Sequence, residues 1–226
     1  MAKFQLHIVD KDLNSETAWD LIGSSTCYIE WLERTKATMP QSLSDFLSLD
    51  IYMGRSRNAG HKAFWHPNYR FPAFADEVLN AVKAIKADEY VKVIDELKAV
   101  MGSDIVQKSS NDYYDLKELE ELGLDDVFKD FDDRSYNIRL TRIELEERIS
   151  CYSRETMSWV LDRYDPDKSE EPYFHLAAAW LMDSFEIVTH SEEGWKDILS
   201  SRSNEKLTKP SKQTPLSFLQ HVFRRR

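Results

Sequence analysis

Between Asp112 and Asp133 the chain sets ten carboxylates against two lysines: Asp112, Asp115, Glu118, Glu120, Glu121, Asp125, Asp126, Asp130, Asp132 and Asp133, with Lys117 and Lys129. The block has a charge of −8 in a protein whose net charge is −10. Concentrated charge of one sign opposes compaction and belongs on a surface. Leu and Phe recur within the block at helical intervals, which predicts an ordered surface. Carboxylates three and four residues apart lie about 5–6 Å from one another on one helix face. Asp115, Glu118 and Glu121 or Glu120 can form such a row, and Asp125, Asp126, Asp130, Asp132 and Asp133 extend it. Ordered carboxylates at that spacing attract a basic partner, including one whose own ligand is a polyanion. The competing reading is a solvated acidic face balanced by Arg134, Arg139, Arg142 or the basic C-terminal segment.

Other residue types with chemical potential are sparse. His61 and His66 lie near Arg55, Arg57 and Lys62, and a hydrolase could use both imidazoles with carboxylates from elsewhere. His-x4-His on an irregular loop lacks the helical spacing of a zinc protease, and no third ligand can be named. In the structural reading of the same stretch, Asn58 and Gly60 make a tight turn while Phe64 and Trp65 anchor it. His175 and Asp183 read as a polar edge of a core helix. No Gly-x-Ser-x-Gly elbow surrounds any serine, and six scattered glycines make no phosphate-binding loop. Cys27 and Cys151 form no disulfide framework and read as small buried residues in a reducing compartment. Neither a metal nor an organic cofactor is implied.

A pI near 5.1 disfavours direct binding to nucleic acid or anionic membranes, because polyanions repel one another. The N-terminus lacks the basic-then-apolar pattern of a secretion signal. The best apolar run, Phe174 to Phe185, is shorter than a membrane span and contains His175 and Asp183. Together these features predict a cytoplasmic protein.

The elements that must position these residues are mostly helical, since glycine and proline total only 6 and 7. Residues 4–9 alternate like a short strand. Helices are expected from Ser15 to about Lys36, with Trp19, Ile22, Thr26, Ile29 and Leu32 or Glu33 at three- and four-residue steps, and from Ser42 or Ser44 to Arg57. Asn58-Ala59-Gly60 ends the second of these. Two more follow over 74–86 and 88–101, then a short helix at Leu116, Leu119 and Leu122, and another at Val127, Phe128 and Phe131. Residues 136–141 alternate like a second strand. Helices are read over Ile143–Arg163 and Glu171–His190, with a short one at Trp195, Ile198 and Leu199. Arg142, Glu144, Glu146, Glu147 and Arg148 read as intrahelical ion pairs. Residues 202–226 carry a charge of +6 and end in three arginines.

Three segments resemble a bacterial family of unknown function that includes a DNA-mimic protein. They are Tyr52–His61 continued by Phe64, Trp65 and Asn68, the helical pair Ala73–Met101, and Leu124–Asp133. Ala59 departs from the family pattern, where a second glycine is common. The resemblance spans about residues 15–138 and implies an α-helical fold. Through its DNA-mimic member it implies occupation of a basic groove on a DNA-binding protein.

The expectation is therefore a mainly α multi-helix bundle with one or two short strands. A family-like domain covers 1–138, a helical extension 139–201 and a basic linker and terminal segment 202–226. The leading function is non-enzymatic binding of a basic protein, such as a DNA-binding regulator. The alternatives are an immunity or antitoxin protein that blocks a basic toxin, and the His61/His66 hydrolase.

Overall fold

The structure, a computed structural model, describes residues 3–65, 74–103, 120–167 and 171–200. Its elements in chain order are β1 (Gln5–Val9), α1 (Asp10–Leu13), α2 (Ala18–Arg34), α3 (Gln41–Ala59), a 3-10 turn (His61–Trp65), α4 (Ala75–Ala84) and α5 (Asp88–Met101). After residues outside the description come α6 (Asp125–Tyr136), α7 (Arg142–Ile149), α8 (Arg154–Arg163), α9 (Pro172–Ser184), β2 (Glu186–His190) and α10 (Glu192–Ser200). The fold is mainly α, as the scarcity of chain breakers requires.

In α2 the buried stripe runs through Ala18, Leu21, Ile22, Ser25, Ile29 and Leu32. Trp19, expected on that stripe, stands one 100° step away and is 46% exposed. It packs edge-on against Phe174, ring centroids 4.8 Å apart. The helix closes with Lys36 at φ 55°, where the Ala37 amide donates to the Leu32 carbonyl. That is a Schellman cap carrying lysine where glycine is usual.

β1 forms as expected, but its partner lies elsewhere. Residues 137–141 make no strand; Tyr136 ends α6, and Asn137 caps it. The partner is Glu186–His190, read from sequence as the last part of a helix. Ile187, Val188 and Thr189 are β-branched and stiff at χ1, which favours the pleated ladder over another helical turn. The two strands pair in parallel, with Leu6 opposite Ile187 and Val9 opposite His190. His7 Nδ1 and His190 Nε2 lie 2.7 Å apart across this ladder.

The expected helix over 143–163 is two. Thr141 begins α7 with a capping box, accepting from the Glu144 amide while Glu144 accepts from the Thr141 amide. Ser153 begins α8 by accepting from the Thr156 amide. The intrahelical pairing expected in α7 gives way to these uses: Glu144 serves the cap, and Arg148 pairs with Glu89 of α5.

A single hydrophobic cluster joins Leu6 and Ile8 of β1, Phe46 and Leu49 of α3, Val78 and Val82 of α4, and Ile94 and Leu97 of α5. It continues through Phe128 and Phe131 of α6 to Leu176 and Leu181 of α9. The core thus draws on both sides of residue 138. His175, expected at a polar edge, is wholly buried in α9, with the Tyr164 ring edge-on at 4.9 Å. Burial pushes its pKa down to about 4, so it is held neutral. Among the described residues no helix is long and apolar enough to cross a membrane. The basic segment over residues 201–226 lies outside the description.

Candidate functional site

The acidic helix α6 owes its orientation to Phe128, Phe131 and Ser135, spaced three and four residues apart and all buried. Burying each phenylalanine contributes about 2 kcal/mol, enough to seat a helix whose other faces repel one another. The opposite face carries Asp126, Asp130 and Asp133, all exposed. Seven residues separate the first from the last, about 10.5 Å along the axis. Asp125 is also exposed, on the flank, and Glu120 and Glu121 are exposed just before the helix. Asp125 and Asp126 lie in the first turn, where the helix dipole favours them. Asp133 lies in the last turn, where the dipole opposes a negative charge.

Asp132 has a different fate. Its Oδ1 accepts from the His61 backbone N–H at 2.8 Å and from His61 Nδ1 at 2.6 Å. A carboxylate can only accept, so Nδ1 carries the proton. In the neutral ring Nε2 then accepts from the Tyr52 hydroxyl, 2.7 Å away. Burial raises the Tyr52 pKa far above its ordinary value, which keeps that hydroxyl protonated. His61 is fully buried, and the Asp132 side chain is 23% exposed. Gly60, at φ 71°, brings its backbone so close that an added Cβ would stand 2.5 Å from Asp132 Oδ2. Asp132 therefore latches α6 to the turn after α3, and among the described carboxylates of the row it is the one turned inward.

Asp130 lies beside Arg134, whose guanidinium reaches Asp130 at 3.2 Å and Glu96 of α5 at 2.5 Å. Arg139, a candidate counter-charge, donates instead to the carbonyls of Tyr136 and Ile138. Between α5 and α6 opens a groove of about 540 Å³. Ala99, Val100, Val127 and Phe131 form its apolar lining, and Glu96, Asp126 and Asp130 its acidic lining.

Of the turn residues, Asn58 is exposed and donates to the Gly54 carbonyl at 2.6 Å. Phe64 is buried and stacks on Tyr52, centroids 5.4 Å apart. Trp65 belongs to the 3-10 turn by its backbone. Asp112, Asp115, Glu118 and His66 lie outside the described residues. Among the described residues no three His, Cys, Asp or Glu side chains converge as a metal would need. Both cysteines are free and exposed, contrary to the burial expected of them.

Sequence reasoning missed the roles of Tyr52 and Glu96, and it offered Arg134 only as a counter-charge to the acidic block. The Glu96–Arg134 contact has no local signal, because its partners are 38 residues apart.

A second acidic locus, absent from the sequence reading, lies between α2 and α3. Burial raises Glu30 to about 7 and Asp50 to about 6; the Asp50 charge reinforces the effect on Glu30, and both carboxylates add to the burial that raises their neighbour Cys27. Tyr173 donates to Asp50 at 3.3 Å.

These features define a class: a helical protein that presents an ordered acidic helix beside an acidic-edged apolar groove. A family model described as DMP19-like protein matches residues 37–156, and the chain belongs to that family. This is the family that the segments Tyr52–His61, Ala73–Met101 and Leu124–Asp133 resemble. The match reaches past residue 138 to include α7, where the sequence had shown no counterpart. No curated protein and no solved structure matches the chain.

Proposed function

We propose that the protein is a DNA-mimic type of binding module whose α6 face and adjoining groove engage a basic, DNA-binding protein. The observation that carries this reading is the outward row Asp126, Asp130 and Asp133 on a helix fixed by its buried phenylalanines. Three charges over about 10.5 Å are sparser than the phosphates of one DNA strand, which follow one another about every 3.4 Å of axis. The row therefore imitates a short stretch of one strand, and Asp125, Glu120 and Glu121 supply the rest of the field. The groove adds something phosphate lacks. An arginine or lysine can lay its aliphatic stem over Val100 and Val127 and bring its charged end to Asp126 or Asp130. Asp133 supports the same reading, since it places an exposed carboxylate in the last turn, where the helix dipole disfavours one.

Carboxylates fixed on a helix hold no condensed counterion atmosphere. Binding to this protein should therefore weaken less steeply with salt than the partner's binding to DNA. The test is capture of cellular protein on the immobilised full chain, followed by elution with duplex DNA and with rising salt. A basic protein that duplex DNA displaces, and that a variant with Asp125, Asp126, Asp130 and Asp133 changed to lysine fails to capture, is the expected result. Asp132 is left intact, because changing it disturbs the fold. Capture that ignores salt, resists DNA, or survives the four substitutions overturns the reading.

A further inference from the structure

Two turns far apart in sequence meet at Lys86 and Cys151. Lys86 ends α4 in a Schellman cap: its amide donates to the Lys83 carbonyl at 3.1 Å, and the Ala87 amide donates to Val82 at 3.0 Å. The cap holds Lys86 at φ 60°, a conformation that glycine adopts more readily. The end of α7 grips this residue twice. Arg148 donates to the Lys86 carbonyl at 2.7 Å, and Lys86 Nζ donates to the Arg148 carbonyl at 3.0 Å. The Tyr152 ring faces the same nitrogen, its centroid 5.2 Å away. Together these contacts bring Lys86 Nζ to 2.7 Å from Cys151 Sγ, and Cys151 is exposed.

That separation is near the short limit of about 2.7 Å for an N–H···O hydrogen bond, and sulfur is a larger atom than oxygen. A thiol and an amine merely in contact stand farther apart. Nitrogen and sulfur that are both bonded to one oxygen stand at this distance. We propose that Lys86 and Cys151 form an oxidant-responsive modification site, closing to a covalent N–O–S crosslink when peroxide is present.

The chemistry balances with two equivalents of hydrogen peroxide. One oxidises the thiol to a sulfenic acid and leaves as water, the first step of ordinary cysteine oxidation. The second oxidises the amine to a hydroxylamine and also leaves as water. Condensation of the two then releases a third water, and a single oxygen remains between sulfur and nitrogen. Sulfur and nitrogen each lose two electrons, and the two peroxides accept all four. Competition from the other cysteine is weak. Desolvation and the carboxylates of Glu30, Asp50 and Asp12 push the Cys27 thiol up to about 11, so little of its reactive thiolate exists near neutral pH. The crosslink would pin the α4–α5 turn to the α7–α8 turn. It stands independently of the partner-binding reading.

The test treats the full chain, carrying Cys27→Ser, with hydrogen peroxide and reads its intact mass and tryptic peptides. One oxygen gained and two hydrogens lost give an increase of about 14 Da, distinct from the sulfenic and sulfinic products of the ordinary ladder. The expected product joins the Lys86 and Cys151 peptides, reverts on treatment with dithiothreitol, and is absent from Cys151→Ser and Lys86→Gly. Glycine preserves the left-handed turn, and an unchanged circular dichroism spectrum confirms that this variant folds. The proposal is overturned if Cys151 gains only one or two oxygens with Lys86 unmodified. It is equally overturned if the 14 Da product persists in Lys86→Gly, or if peroxide leaves Cys151 unchanged.

Discussion

Asp132 and Asp133 are adjacent in sequence and identical in type, yet the structure gives them opposite roles. Replacing Asp132 by alanine removes the acceptor for the His61 backbone N–H and for His61 Nδ1. A buried donor left without a partner costs about 1–3 kcal/mol. The Asp132 side chain is 23% exposed, so water can satisfy part of that loss. The expected destabilisation is about 2–3 kcal/mol, from which relief of like-charge repulsion subtracts a few tenths at most. Asp133→Ala removes an exposed carboxylate at the unfavourable end of the dipole and should change stability by less than about 0.5 kcal/mol. Asp132→Asn keeps an oxygen at the Oδ1 position that can accept both bonds but loses the negative charge that strengthens them, so it should fall between them. Urea unfolding, with tertiary packing followed by tryptophan fluorescence, measures all three. Binding should show the reverse order: Asp133→Lys weakens capture of the basic partner in a protein of normal stability. Equal stability losses for Asp132→Ala and Asp133→Ala would refute the latch, and the inward placement of Asp132 with it.

The buried acids and His175 predict the sign of the pH response. Glu30 and Asp50 are raised to about 7 and 6, so the stability they contribute is present at low pH and lost as pH rises through those values. His175 is lowered to about 4, so its contribution is present above the unfolded value of 6.5 and lost as pH falls toward 4. Between about pH 4.5 and 6 the two acids outnumber the histidine. Relative to wild type, a Glu30→Gln, Asp50→Asn variant should therefore gain stability as pH rises through that window; urea midpoints at several pH values check it, and a relative loss contradicts the assignment. Glu171 accepts from Arg57 at 2.8 Å, while the Arg57 guanidinium lies 4.3 Å from the Phe174 ring centroid. Glu171→Ala strands that cation between α3 and α9. The cost should be about 2–3 kcal/mol, below that of a fully buried pair because Arg57 keeps 27% exposure. Thermal denaturation measures it, and a change under about 0.5 kcal/mol would show the pair to be solvent-screened.

Much of this protein was legible in its residues. Apolar spacing in Val78–Val82, Ile94–Leu97 and Phe128–Phe131 marked α4, α5 and α6, because a helix face is set by neighbours three and four residues away. Gly60 marked the end of α3 through the positive φ it permits, and the segments around it carried the family resemblance. The errors arose where a distant partner decides. The segment Glu186–His190 extends an apolar helix in sequence, and it becomes a strand because β1, 181 residues earlier, offers a ladder. Residues 136–141 alternate equally well, but among the described residues no strand pairs with them.

For the acidic block, sequence determined its charge and its amphipathic helix. It could not tell which carboxylates face outward, since Asp132 and Asp133 carry the same charge one step apart. Only the tertiary structure decided that. His61, 71 residues away, reaches Asp132 and converts it from a surface charge into a buried-side acceptor. Arg134 likewise turns aside toward Glu96, and Lys86 meets Cys151 across 65 residues. Periodicity is a property of a helix alone, whereas the use made of each charge depends on what packs against it.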